Sequence, residues 1–140
     1  MPVSLDFRGF VLEQLTGFEQ LTVRAMFGGY GLYSRGILFA VLDDDVLYLR
    51  TDEAGRGAFE SAGSRPFTPI PGGTPMLGYW EAPADVLEDR DALAAWSLVA
   101  RGVAAQVKAE KQAKAKASAE KKAARGTRPK PGARRGRTRG

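Results

Sequence analysis

The chain has 140 residues, with 21 Lys and Arg, 16 Asp and Glu, and neither His nor Cys. Without Cys there are no disulfides, thiolate nucleophiles or zinc–thiolate sites. Without His the chain also lacks the side chain that most often binds metals and acts as a general base near neutral pH. We therefore expect no enzyme, no cofactor and no metal site.

Charge divides the chain into an acidic body and a basic tail. Residues 1–105 hold 8 Lys and Arg against 14 Asp and Glu, a formal charge of −6, whereas residues 106–140 hold 13 against 2, a charge of +11. The composition predicts a folded domain over residues 1–107 and a tail over 108–140. The N-terminal residues lack the basic and apolar regions of a signal peptide, and no apolar run is long enough to span a membrane, so we expect a cytoplasmic protein.

The first half of the body predicts one helix and a meander of strands. Ser4 is a suitable N-cap for an amphipathic helix over residues 5–17. Short runs of apolar and alternating residues, separated by turn residues, predict strands joined by tight hairpins. These strands cover residues 21–27, 30–33, 37–42 and 46–51.

The second half predicts two more helices and two more strands. A helix over residues 53–62, capped by Asp52, is expected to bury Ala54, Ala58, Phe59 and Ala62. An edge strand at 67–70 and a strand at 76–81 follow, then one helical turn at 83–87. Asp89 is expected to cap a last helix, whose apolar stripe comprises Leu93, Trp96, Val99, Val103 and Val107.

This order predicts an α+β fold, an antiparallel meander with helices packed on it, arranged α-βββ(β)-α-ββ-α. Beyond Val107 the only apolar residue type is Ala. A helix there has high propensity but no apolar stripe to pack, so we expect it to fray and to give way to disorder from Gly126.

Three polar motifs of the body have structural explanations. The Gly28–Gly31 run lacks a following phosphate-loop pattern and is typical of a strand bend or bulge. Asp43-Asp44-Asp45 is typical of a hairpin turn and lacks the alternate spacing of a calcium loop. Helix capping and dipole complementation explain a third group near the last helix. That group comprises Asp85, Glu88, Asp89 and Asp91.

Five aromatic residues on predicted strands leave two alternatives open, core packing or an aromatic ligand face. They are Tyr30, Tyr33, Tyr48, Tyr79 and Trp80. A small-ligand-binding domain with an incidental solubilising tail is thus the alternative function, with a pocket lined by Tyr30, Tyr33, Tyr48 and Trp80.

The tail is the strongest functional signal in the composition. Its many cations and the absence of aromatic residues after Trp96 predict electrostatic association with nucleic acid, without base-specific readout. The cations that we expect to contact phosphates are Lys111, Lys114, Lys116, Lys121, Lys122, Arg125, Arg128, Lys130, Arg134, Arg135, Arg137 and Arg139.

The run RAMFGGYGLY resembles the N-terminal domain of the TfoX/Sxy family, bacterial regulators of natural competence. Its residues are interpreted as fold-defining: Arg24, Met26, Phe27, Gly28, Gly29, Tyr30, Gly31, Leu32 and Tyr33. Further similar pieces extend the resemblance over residues 8–105, among them ILFA from Ile37, LYLR from Leu47 and YWEAP from Tyr79.

The resemblance implies an α+β domain of a transcription-regulating family with no established catalytic reaction, so it gives no catalytic residues. Its competence regulators act with a cyclic-AMP-dependent transcription activator and carry a second, helical domain, in whose place this chain has the basic tail. We therefore expect a regulatory protein, nucleoid-associated if the tail binds DNA. Its body would be a protein-interaction module that uses the sheet edge near 67–70, with a partner in the transcription machinery. It would be a monomer or a homodimer.

Overall fold

The computed structural model describes residues 2–26 and 28–127, with side chains through Lys122. Within this range the chain forms four helices and six strands. In chain order they are α1 (Leu5–Gln14), β1 (Leu21–Met26), β2 (Gly29–Ser34), β3 (Ile37–Asp43), β4 (Val46–Arg50), α2 (Arg56–Ser61), β5 (Pro66–Phe67), β6 (Met76–Glu81), α3 (Ala84–Glu88) and α4 (Arg90–Thr127). The chain divides into two compact units, Met1–Gln106 and Val107–Gly140.

All strands of the first unit belong to one antiparallel sheet, in the order β1-β2-β3-β4-β6-β5. The first four strands form the predicted meander, and the predicted α+β class is confirmed. Two-residue turns join β2 to β3 and β3 to β4 because Arg35-Gly36 and Asp44-Asp45 adopt positive φ, as the twist of the hairpin requires. Asp44 and Asp45 adopt φ of 49° and 56° at the β3–β4 turn, whereas Asp43 before them is buried, 8% exposed.

The main core lies on one face of the sheet, where all four helices contribute buried residues. Phe39, Leu47, Leu49 and Trp80 belong to it on the strand side. A smaller cluster on the other face contains strand residues alone: Val41, Phe67 and Tyr79 are buried, with Met26, Leu38 and Tyr48 packed against them. Among the described residues of the first unit, helices thus cover only one side of the sheet.

Two of the three predicted caps hold helices in place. The Ser4 hydroxyl oxygen accepts a 3.1 Å hydrogen bond from the Phe7 N–H at the start of α1. The Asp89 carboxylate accepts bonds of 3.0 and 3.1 Å from the N–H groups of Asp91 and Ala92 in α4. Asp52 instead accepts from the Gly55 N–H, 2.8 Å, in a turn that precedes α2.

The boundaries and faces of two helices differ from the prediction. Helix α1 ends at Gln14, three residues early, because a turn of residues 15–17 with Gly17 at φ 89° follows it. Helix α2 begins at Arg56 and buries only Phe59. Its six residues are too few for a second buried turn, and Ala54, Ala58 and Ala62 are exposed.

Helix α4 buries Leu93 of the predicted stripe and half-buries Trp96, Val103 and Val107, but it leaves Val99 exposed. Leu93 is fully buried, but Val99 is 67% exposed, while Ser97, Ala100 and Ala104 face the core. Arg101, which bonds to Ser34 and Glu19, lies about 200° around the helix from Val99, so these contacts turn Val99 toward solvent. The helix also continues through Gly126 to Thr127, past the predicted start of disorder. Residues 128–140 lie outside the described part of the chain.

A polar network ties α4 to the sheet. The buried Ser34 hydroxyl donates to the backbone carbonyl oxygen of Glu19 and accepts from the Arg101 guanidinium at 3.1 Å. Arg101 also reaches the Glu19 carboxylate at 3.3 Å, and Arg35 forms a second ion pair with that carboxylate. Ser97 is equally buried, but its hydroxyl has no hydrogen-bond partner among the described residues.

The two buried serines should respond oppositely to replacement by Ala. Ser97→Ala removes an unsatisfied hydroxyl, so we expect the free energy of unfolding in urea to rise by about 1 kcal/mol. Ser34→Ala removes a hydroxyl with two partners, so we expect a loss of about 1–2 kcal/mol. Equal effects of the two substitutions would contradict this difference in hydrogen bonding.

Glu19 should titrate below its ordinary range. The hydrogen bond from the Arg35 guanidinium is the main cause that lowers the pKa of Glu19 from its usual value of 4.5, and Arg101 adds to it. A lowered pKa stabilises the fold above the usual value, and the effect is lost as pH falls through the folded-state pKa. We expect Arg35→Ala to move the pKa of Glu19 back toward 4.5 in an NMR titration. An unchanged pKa in this variant would show that Arg35 is not its cause.

Candidate nucleic-acid interface

The second half of α4 carries a dense set of cations. Its residues form a helix because Ala, Lys, Glu and Gln are strong helix formers. All side chains from residue 108 through residue 122 are exposed. Two of them are acidic, Glu110 and Glu120, and six are lysines. These are Lys108, Lys111, Lys114, Lys116, Lys121 and Lys122.

Five of the six lysines share one side of the helix. At about 100° per residue, they fall within an arc of about 140°. We call this set the lysine face: Lys108, Lys111, Lys114, Lys121 and Lys122. Lys116 lies about 150° from the centre of the arc, in the same sector as Ala109, Ala113 and Glu120.

The geometry of the lysine face suits a phosphate backbone. With a rise of about 1.5 Å per residue, the face extends about 21 Å, a distance that covers about six phosphates of one DNA strand. In the described part of the chain, no carboxylate forms an ion pair with these lysines. Their ammonium groups are therefore available to replace the counterions of a polyanion.

The helix brings some of the predicted contact residues together and separates others. Lys111, Lys114, Lys121 and Lys122 belong to the lysine face, whereas Lys116 points away from it. Sequence reasoning missed Lys108, although the helical phase of the other lysines was sufficient to find it. Arg125 lies in α4 without a described side chain. The remaining predicted cations lie outside the described residues: Arg128, Lys130, Arg134, Arg135, Arg137 and Arg139.

The polar motifs of the body form no competing site. Gly28, with φ 80°, lies in the turn between β1 and β2, where no helix N-terminus offers N–H groups to a phosphate. It thus marks a hairpin turn, where the sequence predicted a strand bend or bulge. Asp85, Glu88, Asp89 and Asp91 are exposed. Among residues 2–26 and 28–127, no three acidic side chains could hold a metal ion together.

The five aromatic residues of the predicted ligand face do not share a surface. Tyr30 and Trp80 pack into the main core, and Tyr48 and Tyr79 pack into the cluster on the opposite face of the sheet. The Arg24 guanidinium lies over the Tyr33 ring, 5.2 Å from the ring centroid. The proposed pocket of Tyr30, Tyr33, Tyr48 and Trp80 is therefore wrong. The pKa values of Tyr48 and Tyr79 are raised, mainly because burial removes their hydroxyl groups from water.

Comparison with known families assigns the first unit. A family model described as the TfoX N-terminal domain matches residues 13–105, about two thirds of the chain. The chain belongs to the TfoX family. No curated protein matches the sequence significantly.

The described residues of the RAMFGGYGLY run lie in the β1–β2 hairpin of the TfoX N-terminal domain. Gly29 is buried where β2 meets β3, and a Cβ there would overlap the backbone carbonyl oxygen of Leu42. A Cβ at Gly31 would lie 2.9 Å from both the Met26 sulfur and a Leu38 methyl carbon. Leu32 is fully buried in the main core. Phe27 lies outside the described residues.

The lysine face begins three residues beyond the matched region, which ends at residue 105. In the described part of the chain, no helix is long and apolar enough to cross a membrane. The lysine face thus lies outside the matched TfoX domain, and a function for this protein has to account for both.

Proposed function

We propose that this TfoX-family protein is a non-enzymatic regulatory protein that associates with nucleic acid through its lysine face and basic C-terminus, without reading sequence. The observation that supports this most is the alignment of five unpaired lysines along about 21 Å of exposed helix. Each ammonium group is a point charge that neutralises a phosphate and positions the protein, and base edges are not read.

The acidic body does not contribute to this binding. Its formal charge of −6 over residues 1–105 repels a polyanion, so the lysine face and the basic C-terminus make the contacts with nucleic acid. The TfoX domain is then free to act as a protein-interaction module, with a partner in the transcription machinery. Strand β5 offers only two residues as a sheet edge, whereas β1 offers six at the other edge. Strand pairing with a partner is therefore better supported at β1.

The proposal is tested by binding to several unrelated DNA duplexes of about 20 base pairs between about 50 and 200 mM salt. We expect the full chain to bind all duplexes alike, with log K falling against log[salt] at a slope of about −5 or steeper. A chain that ends at Val107 should not bind. A tenfold preference for one duplex, or equal binding by the shortened chain, would contradict the proposal.

A further inference from the structure

The two edges of the sheet differ in how well they are protected from pairing with another strand. Strand β5, at one edge, has only two residues and begins with Pro66, which has no backbone N–H to donate. Strand β1, at the other edge, has six residues and pairs with β2 along its length without a bulge. It contains neither Pro nor Lys. The β1 edge thus lacks most of the features by which native proteins prevent edge strands from pairing.

The one charged side chain of β1 does not cover this edge. The Arg24 guanidinium lies over the Tyr33 ring of β2, so it leans toward the middle of the sheet. On the other face, Leu21 and Val23 pack against the main core but are only half-buried, and Ala25 beside them is exposed. The core is therefore open at the outer side of β1.

The hydrogen-bond pattern of the ladder identifies the backbone groups that point outward from β1. At the start of the β1–β2 ladder the Arg35 N–H donates to the Gln20 carbonyl oxygen, 3.4 Å. Hydrogen-bonded pairs alternate along an antiparallel ladder, so the even-numbered residues of β1 bond to β2. The β2–β3 turn agrees, because Ser34 and Ile37 close it as a hydrogen-bonded pair and the preceding residue of β2 then bonds to β1. The outward N–H and C=O groups belong to Leu21, Val23 and Ala25. The described part of the chain offers them no backbone partner.

We propose that β1 pairs antiparallel with β1 of a second copy of this chain, about a two-fold axis at Val23. In this register Val23 lies opposite its own equivalent, and Leu21 lies opposite Ala25 of the second copy. The facing residues exchange about six hydrogen bonds in all, and the apolar side chains on the helix side continue the core from one copy to the other.

The sequence of β1 fits itself best in this register. Each apolar residue faces an apolar residue, and Thr22 faces Arg24 of the second copy. An axis at Arg24 would place two arginines directly opposite each other, which destabilises a strand pair. An axis at Thr22 would leave Ala25 without a partner in the strand. A dimer about Val23 also covers both β1 edges, so its continuous sheet ends in a short, proline-protected β5 at each side.

This proposal deepens the strand pairing at β1 that the proposed function includes, and it does not depend on nucleic-acid binding. Sedimentation equilibrium of the full chain without nucleic acid, between about 1 and 1,000 μM, provides the test. We expect the mass to rise from one chain to two with a micromolar Kd, because a single strand pair makes a small interface. The mass of one chain at every concentration would overturn the dimer and leave the DNA-binding prediction untouched.

A proline variant tests the role of the outward backbone groups. Ala25→Pro removes an outward N–H from each copy and blocks the approach of the second strand, so we expect the Kd to rise at least about hundredfold. The Ala25 side chain is exposed and its N–H does not bond to β2, so the circular dichroism spectrum should stay unchanged. Ala25→Ser keeps the N–H and should dimerise like the wild-type chain. A wild-type Kd for Ala25→Pro would overturn the proposal.

Two charge variants of the exposed Thr22 test the register. Thr22→Glu places a carboxylate opposite Arg24 of the second copy, twice in each dimer, and should lower the Kd about two- to thirtyfold. Thr22→Arg places a like charge there and should raise the Kd by a similar factor. The proposal is overturned if both variants change the Kd in the same direction.

Discussion

Replacing the five lysines of the lysine face by Gln is expected to lower the affinity of the full chain for duplex DNA roughly a hundred- to thousandfold at about 50 mM salt. Gln keeps the high helix propensity of this segment, so the helix itself should persist in circular dichroism spectra. Each lost phosphate contact reduces the salt slope by about 0.9, so the slope should fall by about 4–5.

Lys116 provides a matched control within the same helix. Lys114→Gln removes one contact and should lower both affinity and salt slope, the slope by about 0.9. Lys116→Gln removes the same charge from the opposite side of the helix and should have less than half of that effect. If the two single variants behave alike, net charge alone drives binding and the arrangement of the lysine face is irrelevant.

Gly29→Ala is expected to reduce the free energy of unfolding by about 3 kcal/mol. The new Cβ would overlap the carbonyl oxygen of Leu42 in the neighbouring strand. This atom belongs to the backbone, so β2 and β3 must separate and weaken the ladder beneath Leu32 and Phe39. This overlap is the physical reason for a glycine at this point of the hairpin.

Urea unfolding measures this effect, with Gly57→Ala as the control. Gly57 lies in α2, and no atom outside its own helix backbone and chain neighbours lies within 4 Å of a Cβ there. Ala should therefore raise stability by about 0.5–1 kcal/mol at that position. A Gly29→Ala variant as stable as the wild-type chain would show that β2 and β3 tolerate a wider separation.

The meander of the sheet was predictable because its signals are local. Glycine or aspartate at each turn permits positive φ, and the alternation of Leu47 and Leu49 with Tyr48 assigns the two faces of β4. Each of these signals lies within a few residues of the structure that it determines. The order of four antiparallel strands follows from such signals alone.

The packing of α4 was not predictable in the same way. The sequence offers Val99 as a member of the apolar stripe, but the helix turns Ser97 and Ala100 toward the core. The choice depends on contacts with residues far away in the chain, such as the bond from Arg101 to Ser34, 67 residues earlier. The spacing of apolar residues within α4 does not contain this information.

The lysine face and an apolar cavity between α2 and α4 also differ in whether the local sequence is enough to predict them. Composition was sufficient to indicate a cationic segment, and a helix converts it into a lysine face through regular geometry alone. The apolar cavity, by contrast, is lined by Phe59 and Trp96, which come from two separate elements. Only the tertiary structure brings the two rings together, with their centroids 5.0 Å apart.

The most direct test of the central claim is an NMR titration of the full ¹⁵N-labelled chain with a duplex of arbitrary sequence. We predict that backbone signals from Lys108 to Lys122 shift, and that those of the TfoX domain, residues 13–105, stay in place. Shifts that cluster in the TfoX domain would contradict the account, because the acidic body would then be the surface that binds nucleic acid.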